Sequence, residues 1–250
     1  MSATLPDLVD EGERLLALAK EQSATFALLG GVAIRLHATE VPSALDREYK
    51  DLDFAVPKGG SGAAGKVLSD AGWEPHVVFN AMNSKERMLF HDTDNGRQID
   101  VFVGAFRMCH EIPFGDRLRP GDPTVPLAEL LLTKLQIIEL NEKDVRDTVL
   151  LFHGHQIGES DDGEAVNAAR IAELCAGDWG LWRTITQNLD RCHQLLGDYE
   201  LPSDDRQRVG ERLEAVLTRI EDEPKTRGWK LRAKIGERKR WYELPEEVEQ

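Results

Sequence analysis

Cysteine is sparse in this chain of 250 residues: Cys109, Cys175 and Cys192, an odd count with no CxxC spacing. A disulfide framework and a structural zinc site are therefore not expected, and a reducing compartment fits. No apolar run is long enough to read as a membrane span. The opening residues, Met1-Ser-Ala-Thr-Leu-Pro, lack a basic stretch followed by an apolar one. No secretory leader is read there, and the cytoplasm is the expected location. Positive charge is scarce as well. Thirty-one Lys and Arg stand against 45 Asp and Glu, a formal net charge of -14, which argues against wrapping nucleic acid over a broad surface. GxSxG, the Walker A lysine loop and GxGxxG are all missing, and the pairs Cys109-His110 and Cys192-His193 have no orienting acid nearby, so thiol catalysis is not expected. His153-Gly-His155 has no third ligand close in sequence, and both histidines read as loop residues.

What is present is ordinary for a soluble globular protein, with 30% charged and 41% hydrophobic residues, and the length suits one large or two modest domains. An amphipathic helix is expected from about Asp7 to Glu21, with Leu8, Leu15, Leu16 and Ala19 at helical spacing. A mixed α/β region follows. Strands are predicted near Ala24 to Leu29, Leu52 to Val56, Val77 to Phe79, Arg87 to His91 and Gln98 to Val103, with helices near Val32 to His37 and Ala63 to Ala71. The Gly- and Pro-rich stretch from Arg107 to Pro126 reads as a loop or short strand leading out of the sheet.

Helices dominate the remainder. One is predicted from Leu127 to Leu140, where Leu127, Leu130, Leu131, Leu135 and Ile138 form an apolar stripe that Lys134 shares, so a lysine faces inward. The next begins at Asn141, a good N-cap, and Asp144, Asp147 and Leu151 share one of its faces. The polar stretch from His153 to Gly163 reads as a hinge. The division expected is a catalytic domain over residues 1–152 and a helical domain over residues 153–250, an α/β (α+β) fold with a mixed sheet.

The most informative stretch is Lys50-Asp51-Leu52-Asp53-Phe54-Ala55-Val56. Strand side chains alternate between faces, so Asp51 and Asp53 project together while Leu52, Phe54 and Val56 pack the other side. Two carboxylates side by side repel unless a cation lies between them. A third acid, Asp100, stands in Gln98-Ile99-Asp100-Val101-Phe102-Val103. Three carboxylates on neighbouring strands suit one or two Mg²⁺ or Mn²⁺ ions, which favour oxygen ligands and share their shell with substrate phosphates. Upstream, Gly30-Gly31 follows an apolar strand and opens a short helix, so its amides could meet a nucleotide's phosphates. Any one of these motifs alone is more often structural. Their order along the chain makes coincidence the poorer account.

That order resembles the DNA polymerase β-type nucleotidyltransferase superfamily, with Gly30 and Gly31 matching its glycine turn, Asp51 and Asp53 its paired acids and Asp100 its third acid. Within it the chain is similar to the abortive-infection toxin nucleotidyltransferases, through Lys134 and through Lys143-Asp144-Val145-Arg146-Asp147. The resemblance spans roughly Phe26 to Phe152. It implies catalysis and metal binding at Asp51, Asp53 and Asp100, nucleotide contacts at Gly30, Gly31, Lys134, Asp144 and Asp147, and transfer of a nucleoside monophosphate from an NTP such as ATP. The implied acceptor is an RNA (tRNA) 3′ end, a protein hydroxyl or a small molecule such as an antibiotic, with an antitoxin protein as a possible partner. RNA is slightly favoured by one basic run, Lys225 to Arg240, where Lys225, Arg227, Lys230, Arg232, Lys234, Arg238, Lys239 and Arg240 accompany Trp229 and Trp241. A solvated helix face accounts for that run equally well, and a nucleotide-binding regulatory module without transfer is the reading from another class.

Overall fold

The computed structural model of the chain describes residues 4–161 and 164–244. They pack as two compact units, one made of residues 4–36, 48–107 and 111–125, the other of 37–47, 108–110, 126–161 and 164–244.

The first unit opens with α1 (Leu8–Glu21), capped by Asp7, whose carboxylate accepts from the amides of Val9 and Asp10 at 2.8 and 3.0 Å. There follow β1 (Ala27–Leu29), α2 (Gly30–His37), β2 (Asp51–Val56), α3 (Ser61–Asp70), β3 (Glu74–Pro75), α4 (Val77–Asn83), β4 (Arg87–Asp92), β5 (Arg97–Val103), β6 (Ala105–Arg107) and β7 (Glu111–Pro113). Five of these strands form one mixed sheet in the order β1-β2-β5-β4-β3, in which only β2 and β5 run parallel. Leu52, Phe54, Val56, Ile99 and Val101 line one face with no exposed surface, each burial stabilising by about 1.5–3 kcal/mol. Helix α1 covers that face, and its Gly12 lies so close to Leu28 and Leu52 that a Cβ would sit 3.2 and 3.5 Å from them.

The predicted strand at Val77 to Phe79 is the start of α4 instead. β-branched residues favour strands only where the pleated surface is half buried, and here Val77 and Val78 are exposed. The edge of β4 is taken by a side chain: Asn80 donates to the Leu89 carbonyl at 2.9 Å and accepts from its amide at 2.8 Å. That pairing occupies the backbone groups at Leu89 which another strand would need.

The second unit holds α5 (Leu127–Leu135), α6 (Glu142–Gly154), β8 (Gln156–Gly158), β9 (Ala165–Asn167), α7 (Ala168–Gly177), α8 (Trp179–Leu195), α9 (Ser203–Asp222) and α10 (Arg227–Ala233). Helix α5 stops five residues before the predicted Leu140, because the Asn188 side chain donates to the carbonyls of Leu135 and Ile137 at 2.7 and 2.6 Å and satisfies the turn that ends it. Asn141 does cap α6, accepting from the Asp144 amide at 3.1 Å. The hinge predicted from His153 to Gly163 is partly regular. His153 ends in α6, and β8 pairs parallel with β9; Asp162 and Gly163 lie outside the described residues. At the other end of α6 the buried Arg212 donates to the carbonyls of Phe152 and His153 at 2.6 and 2.9 Å. No described helix is long and apolar enough to cross a membrane.

Candidate functional site

Strand alternation and parallel register build the acidic cluster, wholly within the first unit. Along β2 and β5, Asp51 lies opposite Gln98 and Asp53 opposite Asp100, so the two pairs share one face while Leu52 and Ile99 share the other. Exposure falls across the cluster: Asp51 is exposed, Asp53 half-buried, and Asp100 buried at 6%.

Gly30 fixes the edge of this face. Leu29 lies opposite Asp53 in the β1–β2 ladder, so the chain leaves the sheet beside that carboxylate. Gly30 has a φ of 72°, and a Cβ there would stand 2.1 Å from Asp53 Oδ2. Glycine is therefore required twice, for the left-handed turn and for the contact. The first-turn amides of α2, which have no partner within the helix, begin at Gly30 and Gly31, and no acid stands in that turn.

Asp100 is held by a residue that the sequence reading missed. Arg87 donates to Asp100 Oδ1 through Nε at 2.6 Å and Nη2 at 2.5 Å, and Gln98 Nε2 donates to Oδ2 at 2.7 Å. The signal was available in the hairpin: Arg87 pairs with Phe102 on β5, which puts Asp100 on its diagonal, within reach of a long side chain. With Asp100 engaged in this way, the three aspartates do not bring one oxygen each within 4.8 Å of one another; among the described residues that spacing is met by His37, His155 and Glu164. The donor chemistry of Asp51, Asp53 and Asp100 nonetheless fits a hard divalent cation, since every donor is a carboxylate oxygen.

Lys134, Asp144 and Asp147 gather in the second unit. The inward lysine expected from the α5 stripe is there, its side chain 13% exposed. Its ammonium lies 2.8 Å from Asp147 Oδ2 and 3.3 Å from Asp144 Oδ1. A second cation, Arg47, grips Asp147 in a bidentate fork, Nε to Oδ1 at 2.8 Å and Nη2 to Oδ2 at 2.7 Å. Burial by itself raises the Asp147 carboxyl, but Lys134 and Arg47 outweigh it and hold the group below the ordinary carboxylate range. Both acids of the KDxxD stretch are thus buried, while its Lys143 is exposed. Nothing in the local sequence announced Arg47, which reaches Asp147 from a hundred residues away.

The basic run also divides in two. Lys225 donates to the carbonyls of Ile220, Glu221 and Glu223, closing the end of α9. Arg232 donates to the carbonyls of Gly236 and Lys239 at 2.6 and 2.7 Å and stacks 4.6 Å over Trp179. Trp229 and Trp241 pack against Trp182 and Trp179. Arg227, Lys230, Lys234, Arg238, Lys239 and Arg240 are exposed.

No protein-family model matches the sequence, and no curated protein does. Among solved structures, the solution structure of the antibiotic-resistance factor ANT(2'')-Ia is similar at 15% identity with a TM-score of 0.40, over 57% of this chain and 80% of that one.

Proposed function

We propose that the chain is a nucleotidyltransferase dependent on a divalent cation. The observation that carries this reading is Asp53 set opposite Asp100 in parallel register, with Gly30 pressed against Asp53 at the opening of a helix. Sequence order, sheet register and the close approach agree on a single face of the sheet. Asp51, Asp53 and Asp100 are the residues that hold Mg²⁺ or Mn²⁺, and the amides at Gly30 and Gly31 take phosphate oxygens of the NTP. When bound, the cation neutralises charge on the triphosphate and on the departing pyrophosphate. An acceptor hydroxyl forms the new O–P bond at the α-phosphorus as the bond to pyrophosphate breaks, and the hydroxyl proton leaves to a neighbouring carboxylate or water. In the structure Lys134 neutralises Asp144 and Asp147, so this trio serves the reaction by joining α5 to α6; a direct triphosphate contact by Lys134 is the alternative.

For the acceptor, a small molecule with cationic groups suits the acidic protein. The second unit has a cavity of about 620 Å³, within the usual range for small-molecule sites, where Glu142, Asp198 and Glu200 line the wall together with Arg146 and Arg191, and Arg146 pairs with Glu142 at 2.7 Å. RNA, the acceptor that a toxin role implies, is the second reading, favoured by the exposed cations from Arg227 to Arg240.

The test is to incubate the protein with each labelled NTP, Mg²⁺, and either an aminoglycoside panel, total tRNA or cell-extract protein. Label is expected in the small-molecule fraction, and Asp53→Asn should cut transfer more than about 100-fold, beyond what loss of an outer-shell partner costs. Label in no fraction, or wild-type labelling by Asp53→Asn, defeats the proposal.

A further inference from the structure

A different set of ligating side chains lies in the second unit, away from any residue given a role above. His37 ends α2, His155 caps α6, and Glu164 immediately precedes β9. The β8–β9 ladder explains part of the meeting. Gln156 lies opposite Ala165, so one step back along the parallel pair His155 stands beside Glu164. His155 Nδ1 is 3.1 Å from the Glu164 carbonyl oxygen and 3.7 Å from its carboxylate. His37 arrives from the other side, its Nδ1 3.3 Å from the same carboxylate oxygen and its ring nearly perpendicular to that of His155, with centroids 5.7 Å apart.

We propose that His37, His155 and Glu164 form a binding site for a zinc-class divalent ion. Two imidazoles and one carboxylate are a donor set that zinc accepts, with a fourth position left to water. Donor spacing supports the same class. Bonds of about 2.0–2.1 Å in a tetrahedron put neighbouring ligand atoms about 3.3 Å apart. The separations of 3.3 and 3.7 Å from Glu164 Oε2 to the two ring nitrogens lie close to that, and one ligand atom from each residue falls within 4.8 Å of the others. An ion entering here replaces hydrogen bonds between these atoms without moving their backbones far. The set differs in kind from Asp51, Asp53 and Asp100: imidazole selects borderline transition ions, whereas an all-carboxylate set selects Mg²⁺ or Mn²⁺. The ion would tie together three segments that are 118 and 9 residues apart in sequence.

Isothermal titration of chelator-treated full-length protein with ZnCl₂, paired with thermal melts, tests this without any assay of transfer. One ion per chain is expected, with a melting temperature that rises with zinc concentration. His37→Ala and Glu164→Gln, both at positions with some exposure, should keep the metal-free melting temperature and each lower zinc affinity at least 10-fold. Asp53→Asn should bind zinc like wild type, and millimolar Mg²⁺ should not displace it. Absence of a 1:1 zinc isotherm overturns the proposal, as does wild-type affinity in either His37→Ala or Glu164→Gln. Loss of zinc binding in Asp53→Asn would move the ion to the aspartate face and overturn it equally. The result stands or falls independently of the transferase reading.

Discussion

Two groups of acids, one in each unit, are treated in opposite ways. Asp144 and Asp147 are withdrawn from water and met by Lys134 and Arg47, with the Arg47 fork at 2.7 and 2.8 Å. Asp51, Asp53 and Asp100 instead run from exposed to buried along one sheet face, with Arg87 and Gln98 donating to Asp100. A buried ion network of the first kind fixes geometry, since breaking it leaves charge without compensation. The second kind keeps carboxylates within reach of a dissolved cation while glycine holds the backbone against one of them. Sequence motif alone does not separate these cases, because DLD and KDxxD both read as acids beside a lysine. Burial and register separate them.

The sharpest break of this comparison is Lys134→Met. If the network joins α5 to α6, two buried acids lose a cation, and stability should fall by about 3–5 kcal/mol in urea titration. Nucleotide affinity of the folded fraction should then change little. Full stability with NTP binding weakened by about 1.5–3 kcal/mol would instead make Lys134 a triphosphate ligand and erase the contrast between the units.

Gly30→Ala probes the other side. A left-handed backbone and a Cβ 2.1 Å from Asp53 Oδ2 should together cost about 1–3 kcal/mol, and the displaced Asp53 should lower transfer more than the stability loss explains. A variant with wild-type stability and transfer would show that the contact does not hold Asp53 in place.

Much of this was readable beforehand, and the limits have physical causes. Alternation in β2 and β5 placed Asp51, Asp53 and Asp100, because a period of two with Leu52, Phe54 and Ile99 at 0% exposure admits one orientation. The inward Lys134 followed from the leucine stripe of α5. Arg87 was within reach of the β4–β5 hairpin pairing, whereas Arg47 and the meeting of His37 with His155 and Glu164 did not follow, because each depends on long-range packing or strand pairing that no local period encodes. Val77 and Val78 misled for a related reason: propensity was overridden by Asn80 docking on β4.

Protonation offers a gentler version of the Lys134 test. The folded Asp147 carboxyl titrates below its ordinary value, so its contribution to stability is complete above the unfolded pKa and disappears as pH falls through the folded one. Urea midpoints for wild type should decline as pH is lowered from 5 toward 2, and Asp147→Asn should start lower and decline less steeply. Parallel profiles would mean that Asp147 carries no differential protonation and that its pairing with Lys134 and Arg47 has little energetic weight.

The smallest expected effect is at the basic run. Arg238, Lys239 and Arg240 are exposed, and replacing all three with Glu should move stability by no more than about 0.5 kcal/mol per site. With a small-molecule acceptor, turnover and NTP affinity should stay at wild-type levels, because the run then acts only as solvated charge on an acidic protein. With an RNA acceptor, each lost phosphate contact reduces the salt slope of binding by about 0.7 units for single strands, and the apparent KM for tRNA rises while the Kd for NTP holds. Measuring tRNA labelling against salt in both proteins separates the two. A steep slope in wild type that flattens in the triple variant makes RNA the acceptor, and it would give the C-terminal segment of the second unit a direct part in the reaction proposed for the first.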